Sequence, residues 1–424
     1  MQSLKAVPLG PDAQASAYSW TSQPTSKIIR PNFNPESVLS LSTSFGRAQV
    51  VRHIVAEHRD IFVKGLEHLP NDHRYYEIAQ NQLGGQFSHY YLLLRDREGC
   101  VRVIQPFLIA DQDIMAGLPG MVRKFVSQVC GRALNTLKLR MLMVGCSAGE
   151  GHLALDVRSG DTKWRAESLG ESLQAVAQEM GASLIVFKDF PRIYREQLGG
   201  LSRYGYTRTP SMPGSKLELS FKSFEDYLKT KLSHKTRKNL RGKFRKVAET
   251  SPLEMEVRTD ISAQVDELLP LYRQVLGKSQ YKFEELTRDY FVDLGQEMGD
   301  RTLFFIWRQN GKAVAFCSCM GHEGVLRDNY IGLDYEVALD CHLYFVTFRD
   351  MLTWALENDY HTYYSAPLNY EPKYHLRHDL VPLDLYVKAT SGWLNPFLKI
   401  LLPYLEPTRY DLTLRKFANA ADLW

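Results

Sequence analysis

Between Ser233 and Val247 the chain reads SHKTRKNLRGKFRKV, with seven Lys and Arg in fifteen residues and no Asp or Glu. Arg237, Arg241 and Arg245 recur at four-residue steps, so on a helix they form one stripe. Leu240, Phe244 and Val247 keep helical spacing on an adjoining face, which a solvated charge run has no reason to do. A helix seated by an apolar edge and presenting guanidiniums is suited to an anion, and a phosphate matches that chemistry. The same stripe also fits a solvated face paired with carboxylates.

Three further groups carry chemistry. Gly145-Cys146-Ser147-Ala148-Gly149 has the G-x-S-x-G spacing of a hydrolase nucleophile, but that elbow turns directly into a helix, whereas GHLALDV continues as a strand. Ser147 is therefore not read as a nucleophile. The wider loop, through Glu150, Gly151 and His152, suits either a substrate-facing loop or a plain turn, its glycines permitting close backbone approach. Tyr330 and Asp334 alternate along DNYIGLDY and so leave one face of a strand, although Asp334 equally suits a cap on the next turn. His375 and His378 have no third ligand at metal spacing, so no metal is expected and His375 is the better substrate contact. Tyr364 sits beside Tyr363 in an apolar run that fits core or cleft.

The elements that must hold these groups alternate between helical and strand patterns. Helices are expected over Arg47–Leu66, Met121–Leu137 and Ala166–Met180, and strands over His89–Arg95, Val101–Ala110, Lys138–Val144, Leu153–Val157 and Ser183–Lys188. The order recurs after the basic helix. Ile261–Leu276, Phe283–Met298 and Leu343–Asn358 read as helices, while Leu303–Arg308, Ala313–Gly321, Arg327–Tyr335, His361–Ala366 and Leu383–Ala389 read as strands. YYLLLRDREGCVRVIQPFLI and LFFIWRQNGKAVAFCSCM share an apolar run, an Arg, a polar turn ending in Gly and a second apolar run. Two such pairs in matching surroundings indicate an internal duplication.

The expected division is a flexible arm over 1–43, a first α/β domain over 44–220, a basic connecting helix over 221–250, a second domain over 251–390 and an extension over 391–424. With 424 residues and 44% hydrophobic composition the chain can bury a core in each domain. Net charge is +4; Lys231–Val247 supplies +8 of it, which leaves the remainder acidic and the positive field local. The six cysteines lack C-x-x-C spacing and sit in apolar runs, as expected of reduced, buried thiols in a cytoplasmic protein. The first residues have no apolar run of a secretory leader, and no window is apolar enough to span a membrane. Residues 393–405, WLNPFLKILLPYL, are apolar and broken by Pro396 and Pro403; they suit packing on the body or a peripheral membrane contact.

The chain resembles the FemAB-like group of the GNAT superfamily, transferases built from two tandem GNAT-like (acyl-CoA N-acyltransferase-like) domains in peptidoglycan biosynthesis. The resemblance is carried by LSHKTRKNLRGKFRK at Leu232–Lys246, by the hairpin Leu303–Met320 and by NYEPKYHL at Asn369–Leu376, and it covers roughly residues 45–390. It implies a mixed α/β fold and an amide-forming transfer, without a covalent enzyme intermediate, of an acyl or aminoacyl group from acyl-CoA or aminoacyl-tRNA to an amine. It further implies that Lys373 meets substrate phosphate, that Asp334 takes the amine's proton and that Tyr330 orients the acyl oxygen. No cofactor is expected to be tightly bound. Ordinary acetyl-CoA enzymes hold pyrophosphate on a glycine-rich turn, yet no glycine occurs from Leu333 through Ser391, so the donor stays open. The alternatives are an ordinary CoA-dependent N-acyltransferase and a non-catalytic pair that binds nucleic acid or an anionic membrane through the basic helix.

Overall fold

The computed structural model describes residues 38–113, 138–154, 162–250, 252–279 and 282–424. The chain opens with a hairpin, β1 (Leu39–Thr43) and β2 (Gly46–Val51), then α1 (Ala56–Leu66) and α2 (His73–Gln82). It continues through β3 (Ser88–Arg95), β4 (Val101–Asp113), β5 (Lys138–Val144), α3 (Thr162–Glu179), β6 (Leu184–Pro191) and β7 (Thr207–Pro210). Next come β8 (Gly214–Glu218), α4 (Phe224–Lys231), the basic α5 (His234–Thr250) and β9 (Glu254–Arg258), the strand that opens the second half. There follow α6 (Val265–Lys278), α7 (Arg288–Glu297), β10 (Thr302–Gln309), β11 (Lys312–His322) and β12 (Val325–Leu333). The last elements are α8 (Leu343–Glu357), β13 (Thr362–Ser365), α9 (Tyr370–His375), β14 (Asp379–Val381), β15 (Leu383–Ala389) and α10 (Asn395–Leu405).

The duplication is visible in the order of elements. A strand, two helices, a hairpin, a strand, a helix and a strand run from β2 to β6 and again from β9 to β13. The two hairpins rest on the turn chemistry their sequences imply. Asn310 and Gly311 both take positive φ between β10 and β11, and between β3 and β4 the Asp96 carboxylate accepts the backbone N–H groups of Glu98 and Cys100. Each half contains a parallel pair, β5 with β6 and β12 with β13, which its intervening helix makes possible.

The strands do not sort into sheets by half. One sheet has the order β1-β2-β3-β4-β5-β6-β15-β7 and the other β14-β8-β13-β12-β11-β10-β9. Thus β15, from the end of the second half, is inserted between β6 and β7 of the first, while β8, from the end of the first, lies between β13 and β14 of the second. The limits expected from sequence differ here: Gly214–Glu218 and Leu383–Ala389 each serve the opposite sheet. The halves also share a core. Side chains of α1, α2, β3 and β4 pack in one cluster with those of α6, α7, β10 and β11, and the Tyr290 hydroxyl donates to that of Tyr75 at 2.8 Å. Around that core Arg74 bridges Asp72 and Asp300.

Other expectations need correction. The first helix does not begin at Arg47: Ala48 and Val50 are buried while Arg47 is exposed, a period of two, and the segment is β2. Its partner β1 brings order to Leu39–Thr43, inside the stretch expected to be a flexible arm. The helix expected from Phe283 starts at Arg288, where the Thr287 side chain accepts from the Tyr290 N–H, which frees residues 282–287 as a loop. Met121–Leu137 and most of Leu153–Val157 lie outside the described residues. Cys100 is exposed, while Cys146, Cys317, Cys319 and Cys341 are buried. Helix α5 buries Leu240 and Val247 and sets Phe244 against Phe224 of α4, so it belongs to the second half's outer layer. Its arginines face outward rather than into a cleft between the halves.

Asp384 anchors the inserted β15. It is buried and accepts from Arg195 and Arg208, each at 2.7 Å. Asp384→Ala leaves two guanidiniums without their acceptor and is expected to cost about 2–3 kcal/mol in equilibrium urea unfolding. A loss under about 0.5 kcal/mol would place the anchor elsewhere.

Candidate functional site

A cavity of about 370 Å³ opens between the two halves. The first half contributes the loop Gly149–His152, which follows β5, and Lys188 and Asp189 from β6. The second contributes Arg327 and Tyr330 from β12, Tyr364 from β13, and Phe283 and Glu284 from the loop ahead of α7.

Local geometry explains why these side chains converge. The register of β11 and β12 shifts between Ser318 and Cys319, so Ser318 faces Tyr330 while Cys319 faces Asp328 and Asn329 is extra. Strict alternation would put Tyr330 on the same side as Asp328; the bulge turns it to the cavity with Arg327. Pairing of β12 with β13 ends at Asp328 and Ser365, while β12 runs on to Leu333, so the strands part at the cavity wall. Gly214 of β8 lies so near the Tyr364 hydroxyl that a Cβ there would collide with it. Glycine at that position is what lets Tyr364 reach across to Glu150.

Two carboxylates organise the charge. Glu284 is half-buried and accepts from the Tyr330 hydroxyl at 2.9 Å. Burial pushes its carboxyl above the ordinary range, against the pull of Lys188 and Tyr330. Lys188 donates to the Gly149 carbonyl at 3.1 Å and pairs with Asp189 at 2.7 Å. Burial works against its charge, but Asp189 and Glu284 outweigh that and hold the amine protonated. The second carboxylate, Glu150, accepts from Tyr364 and lies 3.6 Å from Arg327, whose guanidinium stacks 4.4 Å over the Tyr364 ring. His152 beside it is buried and meets the Tyr194 hydroxyl at 3.2 Å; burial, with Arg327 and His68, lowers it to about 3, so it is neutral at pH 7. The cavity therefore offers a carboxylate disposed to take a proton, a fixed ammonium and a guanidinium.

Of the residues singled out from sequence, Tyr330, Tyr364, Glu150 and His152 meet here. Asp334 does not line the cavity. It lies just past β12, buried, pairs with Lys312 at 3.2 Å and caps the Glu336 N–H, which is the turn role. Lys373 is buried on α9 and donates to the carbonyl of Ala366, itself a wall residue; burial lowers its amine to about 8, with Asp328 partly opposing. His375 is exposed and pairs with Glu371 at 3.2 Å, and it borders a second hollow beside α5. Arg241 pairs with Glu225 and Arg237 donates to the Lys229 carbonyl at 2.8 Å; with Arg245 they edge an open surface hollow. Ser147 shares a part-buried hydrogen bond of 3.0 Å with His89, and no helix is formed by residues 151–154.

Sequence reading missed Glu284, Lys188 and Arg327. Lys188 and Asp189 are a charged pair inside the apolar run LIVFKDF, a signal present in the sequence. Glu284 gives none beyond its place just before a helix cap. Cys317, Cys319 and Asp328 also come together; the Cys317 thiol donates to Asp328 at 2.9 Å, and Tyr363 donates to the same carboxylate at 2.8 Å.

Residues 234–373, from α5 through α9, match the family model described as an acetyltransferase (GNAT) domain. Over that span the chain is similar to GNAT domains. That span holds the strand parting between β12 and β13 and the wall residues Glu284, Arg327, Tyr330 and Tyr364. Among solved structures, L-PGS from Bacillus licheniformis is similar at 14% identity over 83% of this chain and 96% of its own, with a TM-score of 0.48. FemX is similar at 11% identity over 82% and 99%, with a TM-score of 0.48. The C-terminal domain of a putative lysylphosphatidylglycerol synthetase from Agrobacterium fabrum is similar at 13% identity over 81% and 94%, with a TM-score of 0.47. A comparison with curated proteins finds no match.

Lys373, at the end of the matched span, supplies a test. Its folded-state value lies below 10.5, so its charge destabilises the fold below about pH 8 and that cost fades as pH rises toward 10.5. Lys373→Met is expected to raise stability at pH 7 by about 1–2 kcal/mol, with the gain shrinking toward pH 10 in pH-resolved melting curves. A gain that does not vary with pH would show that the amine is not the source.

Proposed function

We propose that this protein is an enzyme that forms an amide bond in the cavity between its halves, moving an acyl or aminoacyl group from an activated donor to an amine. The observation that carries this reading is Glu284, a half-buried carboxylate raised by burial, shared with Tyr330 and opening on a cavity that also holds Lys188. An attacking amine must shed a proton as its nitrogen bonds to the acyl carbon and the donor's C–S or C–O bond breaks. Glu284 takes that proton, and a raised carboxyl is better matched to the task than an ordinary one. Tyr330 holds the carboxylate in place, and Lys188 stabilises negative charge developing on the acyl oxygen. Arg327, braced by Glu150 and Tyr364, serves an anionic group on donor or acceptor.

The donor is an acyl thioester or an aminoacyl-tRNA, and these are separate readings. The exposed Arg241 and Arg245, with the half-buried Arg237, favour a large phosphate-bearing partner such as tRNA, since they edge a surface hollow rather than the reacting centre. The reading carries with it a cytoplasmic location, where both donors occur. Among the described residues no helix is long and apolar enough to cross a membrane.

The test is Glu284→Gln, assayed for transfer from acyl-CoA and from charged tRNA onto a panel of amines with mass-spectrometric detection. Turnover is expected to fall by about 100-fold or more, and the acid limb of the pH profile to vanish. Because burial raises the Glu284 carboxyl, its ionisation costs stability as pH climbs above the ordinary carboxylate range. The variant should therefore melt higher than the parent at pH 7 and not at pH 4. Unimpaired turnover in a variant that melts higher would remove Glu284 from the chemistry.

A further inference from the structure

Helix α10 presents two unlike faces. Leu398 and Leu402 pack against the core, where the helix meets β15 and β7. On the other side Trp393, Phe397, Ile400 and Tyr404 are 71%, 66%, 68% and 59% exposed, at steps of four, three and four that form a single stripe. Leu394 and Leu401 flank it, and Tyr410 and Leu412 continue it past the helix. Eight of the twelve exposed large hydrophobic residues among those described fall between Trp393 and Leu412, too concentrated for ordinary surface scatter.

Along the stripe's own stretch of chain the exposed charges have one sign. From Gly392 to Lys416 they are Lys399, Arg409, Arg415 and Lys416, of which Arg409 lies 3.6 Å from Glu406 and Lys416 pairs with Glu371 of α9 at 3.0 Å. The two acids in the same span are withdrawn: Glu406 is buried and accepts from the Trp424 indole N–H at 3.0 Å, while Asp411 is half-buried and caps the Thr413 N–H. Self-association through this face would set its positive rim against itself. An anionic surface would meet both the rim and the stripe.

We propose that α10 and the residues through Leu412 dock the protein on an anionic phospholipid surface. The helix lies in the plane of the interface, since its eleven residues are too few to cross. Phe397, Ile400 and Leu401 enter the acyl boundary, the rings of Trp393 and Tyr404 sit at headgroup level, and Lys399 and Arg409 lie among the lipid phosphates. This inference does not depend on the assignment of the cavity.

The experiment is co-sedimentation of the full chain with phosphatidylcholine vesicles, with and without about one quarter phosphatidylglycerol. Binding to the anionic vesicles, weakened by salt, is expected, and Phe397→Asp/Ile400→Asp should lower partitioning by roughly tenfold or more. Lys399→Glu, which touches no packed side, should weaken binding to anionic vesicles only and keeps the test open if the double variant folds poorly. Trp393 should shift its emission to the blue on binding, a change lost in Trp393→Phe. No vesicle binding, or binding unaltered by Lys399→Glu and the double variant, overturns the proposal. So does a stable dimer by light scattering that the double variant disperses, for then the stripe faces a second copy.

Discussion

Both sheets have to find a strand outside their own half, and the remaining architecture follows from that. A strand carries a row of N–H and C=O groups that cost free energy if buried without partners. On the first sheet β6 and β7 satisfy theirs through β15, and on the second β13 and β14 satisfy theirs through β8. The exchange is reciprocal, so neither sheet can be completed without drawing the other into contact. That brings α2 against α7, lets the two halves share one apolar cluster, and closes the Tyr75–Tyr290 contact at its centre. The cavity is a by-product of the same constraint. Its walls include the ends of β12 and β13, which part beyond Asp328 and Ser365, and there a carboxylate from the first half and a guanidinium from the second come within 3.6 Å of each other.

The chemistry of the cavity depends on burial more than on any single residue type. Glu284 would be an unremarked acid on an open loop, and Lys188 an ordinary surface amine. Enclosure raises the carboxyl of the first, and the acids around the second keep it protonated despite burial. His152, drawn into the same enclosure, is driven the other way and stays neutral. Such opposing shifts within one cavity are how a fold separates a proton acceptor from fixed charge using side chains with unexceptional values in water.

Much of this was legible in the sequence and some was not. The alternation of helix and strand, the repeated hairpin and the duplicated order were readable because they rest on local periodicity and turn chemistry, as the Asn310–Gly311 turn illustrates. Tyr330, Tyr364, Glu150 and His152 were found through their place in loops and strands. Asp334 was paired with Tyr330 by strand alternation, but β12 ends at Leu333, so Asp334 falls in the following turn, where it caps the Glu336 N–H. Glu284 stayed hidden because its role comes from a loop folding over residues nearly one hundred positions away in sequence, beside Lys188. The basic helix shows the converse. Its apolar edge was read correctly, yet periodicity says only that a face is polar and not whether a cleft or solvent lies before it.

The exchanged strand also has a consequence in time. The first sheet lacks β15 until the 172 residues separating Pro210 from Leu383 have been made. At a synthesis rate of roughly 5–20 residues per second, a nearly finished sheet waits on the order of 10–30 s with one edge of β6 open and β7 unpaired. During that interval its apolar edge is open to any extended segment, including β8 of its own chain or the edge of a neighbouring copy. The protein thus cannot mature from front to back as a simple string of domains does. Its first half is held unfinished until the last strand emerges, and whatever shelters that edge in the meantime takes part in making the active molecule.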